Sequence, residues 1–377
     1  TCDAMIYEQQ RLLTPGPLAL ANSVKRRMMI DLGSRDAVFR AITREVREDI
    51  LWVAGATDTH TVIPIQGSGT FAMEAALIAF LGPSSKALVC VNGIYGERIC
   101  AILARHGLAH LALPTAATRV PDVARVAEIL ESDPQITHLC FVHCETTTGI
   151  LNPFSELLRC AREHGVVTIV DSMSAFGAVD IDASRDAFDV LVASGNKCLE
   201  APPGVAFVVA SKSLMQVKPA QVRSFSLDLF EQWRHMEAHG EWRTTPPTHV
   251  VQALHMSLEE LRAEGISERR TRYWRVQERI VNGFAGLGIE PILAPELRSP
   301  ICISFRIDAL RGGPDAFDSF YDYLASQGLY IYSKPHAETC SFRVGCIGRI
   351  PDAWIDLLIE CTESFIAASR TAVRGVA

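Results

Sequence analysis

The chain has 377 residues, 48% of them hydrophobic and 21% charged, with a formal net charge of -7 at pH 7. That length exceeds one ordinary core and suits a large domain with a smaller one. The composition excludes a disordered or fibrous protein, and the acidic balance lacks the basic stripe that nucleic-acid binding needs.

The opening residues, TCDAMIYEQQRLLTPGP, carry charges and prolines where a signal peptide has a basic segment and an apolar run. No apolar stretch reaches the roughly 20 residues of a membrane helix. Eleven cysteines, an odd number without a CxxC pair, read as reduced thiols rather than as a disulfide framework or a zinc site, so no metal is expected and the protein is placed in the cytoplasm.

From about Val62 to Val209, short apolar runs (KALVCVN, THLCFVH, VVTIVDS, DVLVAS, GVAFVVA) alternate with amphipathic stretches such as ERICAILARHG and ELLRCAREHG. This is the pattern of βαβ units, so an α/β fold is expected, with a mostly parallel, doubly wound sheet covered on both faces. A polar and aromatic region, SFSLDLFEQWRHMEAHGEWRTTPPTHV, is followed by a long helical pattern from about Val250 through GFAGLG. Beyond it PICISFRID, LYIYS and SFRVGCIG read as strands between helices, which suits a small C-terminal α+β domain. The expected division is an N-terminal arm over 1–20, a large domain over 21–255 and a small one over 256–377.

Four stretches of the large domain carry chemistry. The first is Gln66-Gly67-Ser68-Gly69-Thr70, directly before a helix-forming run. Ser68 to Thr70 at a helix start offer free N–H groups, hydroxyls and a positive dipole end to a phosphate. The same residues also suit an ordinary glycine turn with a Ser/Thr cap. In the second, HCETTTGILNP, a strand ends in a hydroxyl-rich turn where Thr146 or Thr147 can hydrogen-bond a ligand or merely stabilise the turn. His143 there suits a structural role as well as a functional one. In the third, TIVDSMSAFG, an apolar strand delivers Asp171 at its carboxyl end, where open α/β sheets bind ligands; capping the next turn is the alternative. The fourth is ASGNKC, where Lys197 follows a buried strand and precedes the loop APPG. Partial burial would disfavour the charged form of such a lysine and activate it as a Schiff-base nucleophile; a solvated surface charge is the alternative.

The set LLTPGPL, IPIQGSGTFAMEAAL, VNGIYGERI, HCETTTGILNP, IVDSMSAFGA, GNKCLEAPPG, GEWRTTPPTHVV and FRVGCIG resembles the class V aminotransferases of fold type I, which use pyridoxal 5'-phosphate (PLP). Within them it is similar to the branch that moves the amino group of 2-aminoethylphosphonate to pyruvate, giving phosphonoacetaldehyde and L-alanine. The resemblance implies that Lys197 carries the cofactor as a Schiff base, with Asn196 beside it. Asp171 would meet the pyridine nitrogen, Ser68, Gly69 and Thr70 the phosphate, and Tyr95 the ring face. Thr146 or Thr147 would take the ring oxygen, and Arg343 would grip the acid group of the substrate. Thr248 would reach the cofactor of a neighbouring subunit, which implies a homodimer with shared active sites. Two positions depart from the branch. Gly33-Ser34-Arg35-Asp36 puts a cation where relatives carry tryptophan, and an arginine there would suit a phosphonate dianion if it lay near the site. APPG replaces GVPG, as in alanine:glyoxylate enzymes. An alanine or serine:glyoxylate aminotransferase and a non-catalytic PLP-fold binding protein are the competing readings.

Overall fold

The computed structural model describes residues 10–217, 222, 224–310 and 316–374; residues 1–9 of the expected arm lie outside them. Seven strands form the central sheet: β1 (His60–Gly67), β2 (Lys86–Val91), β3 (Ala109–Pro114), β4 (His138–Val142), β5 (Val167–Asp171), β6 (Val190–Ser194) and β7 (Gly204–Ser211). Their spatial order is β1-β7-β6-β5-β4-β2-β3. The block from β6 to β3 is parallel, while β7 runs antiparallel to both β6 and β1. The expected α/β architecture with a mostly parallel sheet is therefore the observed one.

Both faces are buried, because successive side chains of a strand point to opposite sides. Leu139, Phe141, Val170 and Leu191 enter one hydrophobic cluster with α1 (Ala37–Val53), α4 (Val123–Ser132) and α5 (Phe154–Glu163). Cys140, Val142, Ile169 and Val192 enter the other with α2 (Gly69–Phe80) and α3 (Ile94–Arg105). The polar and aromatic region holds a helix that its pattern did not announce, α6 (Leu229–His239).

The helical pattern from Val250 onward is two helices, α7 (Thr248–Glu264) and α8 (Ile266–Gly286), broken at Gly265 with φ +90°. Glycine adopts that backbone without a Cβ clash. Val251, Leu254, Leu258 and Leu261 of α7 still enter the cluster beneath α1, past the expected limit at 255. Val276, Ile280 and Phe284 of α8 join the C-terminal core instead. There the antiparallel strands β8 (Cys302–Arg306) and β9 (Ser341–Gly345) lie with α9 (Ala316–Ser326) and α10 (Asp352–Arg374). The N-terminal Arg11–Leu12 pairs in parallel with Leu329–Tyr330, the only paired part of LYIYS among the described residues. No described helix is long and apolar enough to cross a membrane.

Candidate active site

The sheet brings the four stretches to one edge. β1, β4, β5 and β6 run the same way, and antiparallel β7 places its first residue, Gly204, opposite Gly67. A cavity of 410 Å³ opens there. Ser68, Gly69 and Thr70 line it from the start of α2, and Tyr95 from α3. Thr146, Asp171, Asn196 and Lys197 line it from the turns and ends of β4 to β6. Pro203 and Gly204 of the APPG loop complete that wall.

Ser68 is the N-cap of α2, yet its side chain caps none of the helix N–H groups. That leaves its hydroxyl and the first turn available to an anion, rather than closed as a self-contained cap. Asp171 is 6% exposed, and its carboxylate accepts from the Met173 N–H at 3.0 Å. It makes no ion pair with a described residue, and burial pushes its pKa up to about 6 against the pull of that N–H, Arg98 and Lys197. Burial lowers the pKa of Lys197, and nearby Arg343 lowers it further, against the buried thiols around it. Lys197 Nζ donates to the Pro15 carbonyl at 2.6 Å. An amine and a carboxylate, each pressed toward its neutral form, thus face one cavity whose mouth begins with an uncapped helix.

Thr146 and Thr147 separate. The Thr146 hydroxyl sits 2.6 Å from Ser174 Oγ beside the cavity, whereas the Thr147 hydroxyl donates to Glu145 and does not line it. Thr147 is therefore a turn residue in this geometry, because Glu145 is buried and needs its donors. Glu145 also accepts from the Tyr95 N–H at 3.2 Å, and burial pushes its pKa up to about 7. Burial likewise pushes Tyr95 up to about 12. Arg343, on β9, does not line the cavity itself. Its Nη1 donates to the Thr146 carbonyl at 2.8 Å, its guanidinium lies 4.0 Å from the Tyr332 ring centroid, and its buried Nε has no hydrogen-bond acceptor among the described residues. That orphan donor is suited to an absent acid group.

Thr248 begins α7 and does not line the cavity within this chain; Val250, two residues on, is the side chain nearest to Gly204. Arg35 does not line the cavity of its own chain; its side chain is 72% exposed and 3.9 Å from Glu241. His143 is structural here: it stacks on Phe154 at 4.2 Å, and burial lowers its pKa to about 3. Burial also keeps Cys144 and Cys198 as thiols, Cys198 pushed up to about 12, so neither is a ready nucleophile. Sequence reasoning did not single out Arg98, which lines the cavity, reaches Thr70 Oγ1 at 3.2 Å and lies 4.8 Å over the Tyr95 ring. Its signal was positional: three residues after Tyr95, it shares that face of the helix.

The family pattern aminotransferase class-V matches residues 20–337. A 2-aminoethylphosphonate–pyruvate transaminase of Cupriavidus pinatubonensis is 41% identical over 345 residues, covering 90% of each chain. One of Rhizobium meliloti is 40% identical over 362 residues, covering 95% of this chain and 94% of the relative. Among solved structures, an alanine–glyoxylate aminotransferase from Nostoc sp. superposes with a TM-score of 0.88 at 23% identity, over 95% of this chain and 96% of the other. At that identity the superposition speaks for the fold alone. The family pattern and the two close relatives span the residues from the anion cup to Lys197, and on that ground the chain belongs to the class-V aminotransferases.

Proposed function

We propose that this chain moves the amino group of 2-aminoethylphosphonate to pyruvate, yielding phosphonoacetaldehyde and L-alanine, with pyridoxal 5'-phosphate as cofactor. The observation that carries the reading is the pairing, across one cavity, of a pKa-lowered Lys197 with a buried Asp171 that makes no ion pair among the described residues. Relatives bearing that activity in their names are about 40% identical over nine-tenths of the chain.

The residues present fit the cofactor. A buried carboxylate without a cation accommodates a protonated ring nitrogen, and the uncapped start of α2 accommodates a phosphate. When bound, the cofactor supplies an electron sink for charge developing at the substrate carbon. Ser68, Gly69 and Thr70 would hold its phosphate, Tyr95 would cover its ring and Thr146 would face its ring oxygen. Asp171 would keep the ring nitrogen protonated. Lys197 Nζ would carry the cofactor and, with its pKa lowered by burial, would take and return the substrate proton as a base. Arg343 would present its unpartnered Nε to the acid group of the substrate, its guanidinium held by Tyr332 and the Thr146 carbonyl. Asn196 lines the same wall, and Thr248 is assigned to the cofactor of a second subunit in a homodimer acting in the cytoplasm.

The test is a donor and acceptor panel on the purified protein. Alanine should form from 2-aminoethylphosphonate and pyruvate, and Lys197→Ala should abolish both that product and the visible absorbance of the cofactor-loaded protein. Turnover only with alanine or serine and glyoxylate would transfer the chain to the competing branch.

A further inference from the structure

Just beyond Lys197, Glu200 is 1% exposed and adopts φ +60°, a conformation that a non-glycine residue keeps only where its surroundings hold it. Its backbone N–H donates to the Lys197 carbonyl at 2.8 Å. Its carboxylate is reached from two other parts of the chain. From α8, Tyr273 Oη donates at 2.6 Å and Arg272 Nη2 at 2.8 Å; from the segment after β9, Arg349 Nε lies at 3.0 Å as an ion pair without hydrogen-bond alignment.

These partners are themselves anchored. Arg272 donates to Glu264 at 2.6 Å and to the Gly348 carbonyl at 2.8 Å. Arg349 donates to Glu260 at 2.8 Å. Arg269, 0% exposed, joins Glu264 at 2.9 Å to the Cys198 carbonyl at 3.0 Å. The Lys197 carbonyl is thus held by the closing bond of its own turn, from the Glu200 N–H, and the Cys198 carbonyl from outside that turn, by Arg269. Gly348 and Arg349 lie just past the strand that carries Arg343, separated from it by Cys346 and Ile347. A buried carboxylate that collects two guanidiniums fixes one arrangement, because losing either cation leaves charge stranded out of water.

We infer that Glu200 is a positioning residue that registers the Lys197 turn against the β9 segment, so that the amine and the acid-gripping guanidinium keep one separation. This rests on Lys197 being the cofactor-bearing lysine. A residue that merely staples the two cores together would move stability alone. One that positions Lys197 must also move the properties of the lysine.

The experiment compares wild type, Glu200→Gln, Arg349→Met and Lys197→Ala, each stripped of cofactor, checked for fold by circular dichroism and titrated with pyridoxal 5'-phosphate. The readouts are the dissociation constant, the pH midpoint of the visible band, and kcat against KM. Glu200→Gln should weaken cofactor binding, shift the pH midpoint and lower kcat more than KM, by up to about a hundredfold where a reacting group is misplaced by an ångström. Arg349→Met, whose side chain is 37% exposed in the wild type and so leaves little void, should change the same readouts in the same direction by less. It decides the matter alone if Glu200→Gln does not fold. Unchanged affinity and pH midpoint in the folded variants, with only the unfolding midpoint lowered, overturns the positioning role. A wild-type visible band that survives Lys197→Ala would instead overturn the lysine assignment and the inference with it.

Discussion

Burial is the largest influence on the titration behaviour at the site, and Glu145 shows its thermodynamic sign. In the folded chain this carboxyl holds its proton up to about 7, against an ordinary value of 4.5, because burial outweighs the donors of Thr147 and Tyr95. Between those values the folded state binds more protons than the unfolded one, so stability falls as pH rises through that range. Each tenfold gain in proton affinity is worth about 1.4 kcal/mol, so the contribution is about 3 kcal/mol, fully present below the unfolded pKa and lost above the folded one. His138 and His143, kept neutral by burial with pKa lowered to about 4 and about 3, act in the opposite sense over an overlapping range. The Glu145 contribution is therefore read as a difference. Urea unfolding of cofactor-free wild type and Glu145→Gln, at steps from pH 4.5 to 7, should show wild type losing stability relative to the variant. Parallel profiles for the two proteins would mean that Glu145 ionises as an exposed carboxyl does.

At the scale of elements, one glycine lets the N-terminal segment roof the lysine. Gly345 of β9 donates its N–H to the Leu13 carbonyl at 2.8 Å, and a Cβ there would lie 2.2 Å from the Thr14 carbonyl carbon. Backbone cannot give way as a flexible side chain can. The contrast is Gly69, whose added Cβ would meet the Met173 thioether at 2.4 Å. Gly345→Ala should therefore destabilise by roughly 1–3 kcal/mol or more through overpacking, and should lift Pro15 from Lys197. Denaturant unfolding measures the first effect and weakened cofactor binding the second; Gly69→Ala should cost less stability. The apolar runs of β2, β4, β5, β6 and β7 were legible because strands buried on both faces read as continuous β-branched stretches. The edge strand β3, with Ala109, Leu111, Ala112 and Pro114 exposed, offered no such run. Gly265 sat inside a helical period, where an isolated glycine looks tolerable, so its positive φ stayed hidden. Lys197 and Asp171 were readable because each follows an apolar strand. Arg98, Glu145 and Glu200 were not, since a lone charge in sequence looks like a solvated face until tertiary contacts bury it.

The whole molecule bears on assembly through the surface beside α7. Thr248 does not line the cavity of its own chain, and the segment next to it is apolar. Gln252 Nε2 donates to the Ile30 carbonyl at 2.9 Å and His249 meets Asp31 at 2.9 Å, which fixes the 28–31 stretch against the start of α7. Within that stretch Met29 is 81% exposed and Ile30 43%, with Val38 on α1 58% exposed. Apolar side chains gathered next to a residue assigned to a neighbour's cofactor suit a homodimer interface, where burying them removes apolar area from water. Met29→Glu would force a carboxylate into that contact while altering nothing in the cavity. Sedimentation equilibrium should give twice the chain mass for wild type and a mass falling toward one chain for Met29→Glu at low concentration. Cofactor affinity should fall in parallel on the proposed shared-site reading, in which the second subunit supplies Thr248. A wild type that sediments as a single chain with full cofactor affinity would remove Thr248 from the site and with it the shared-site reading.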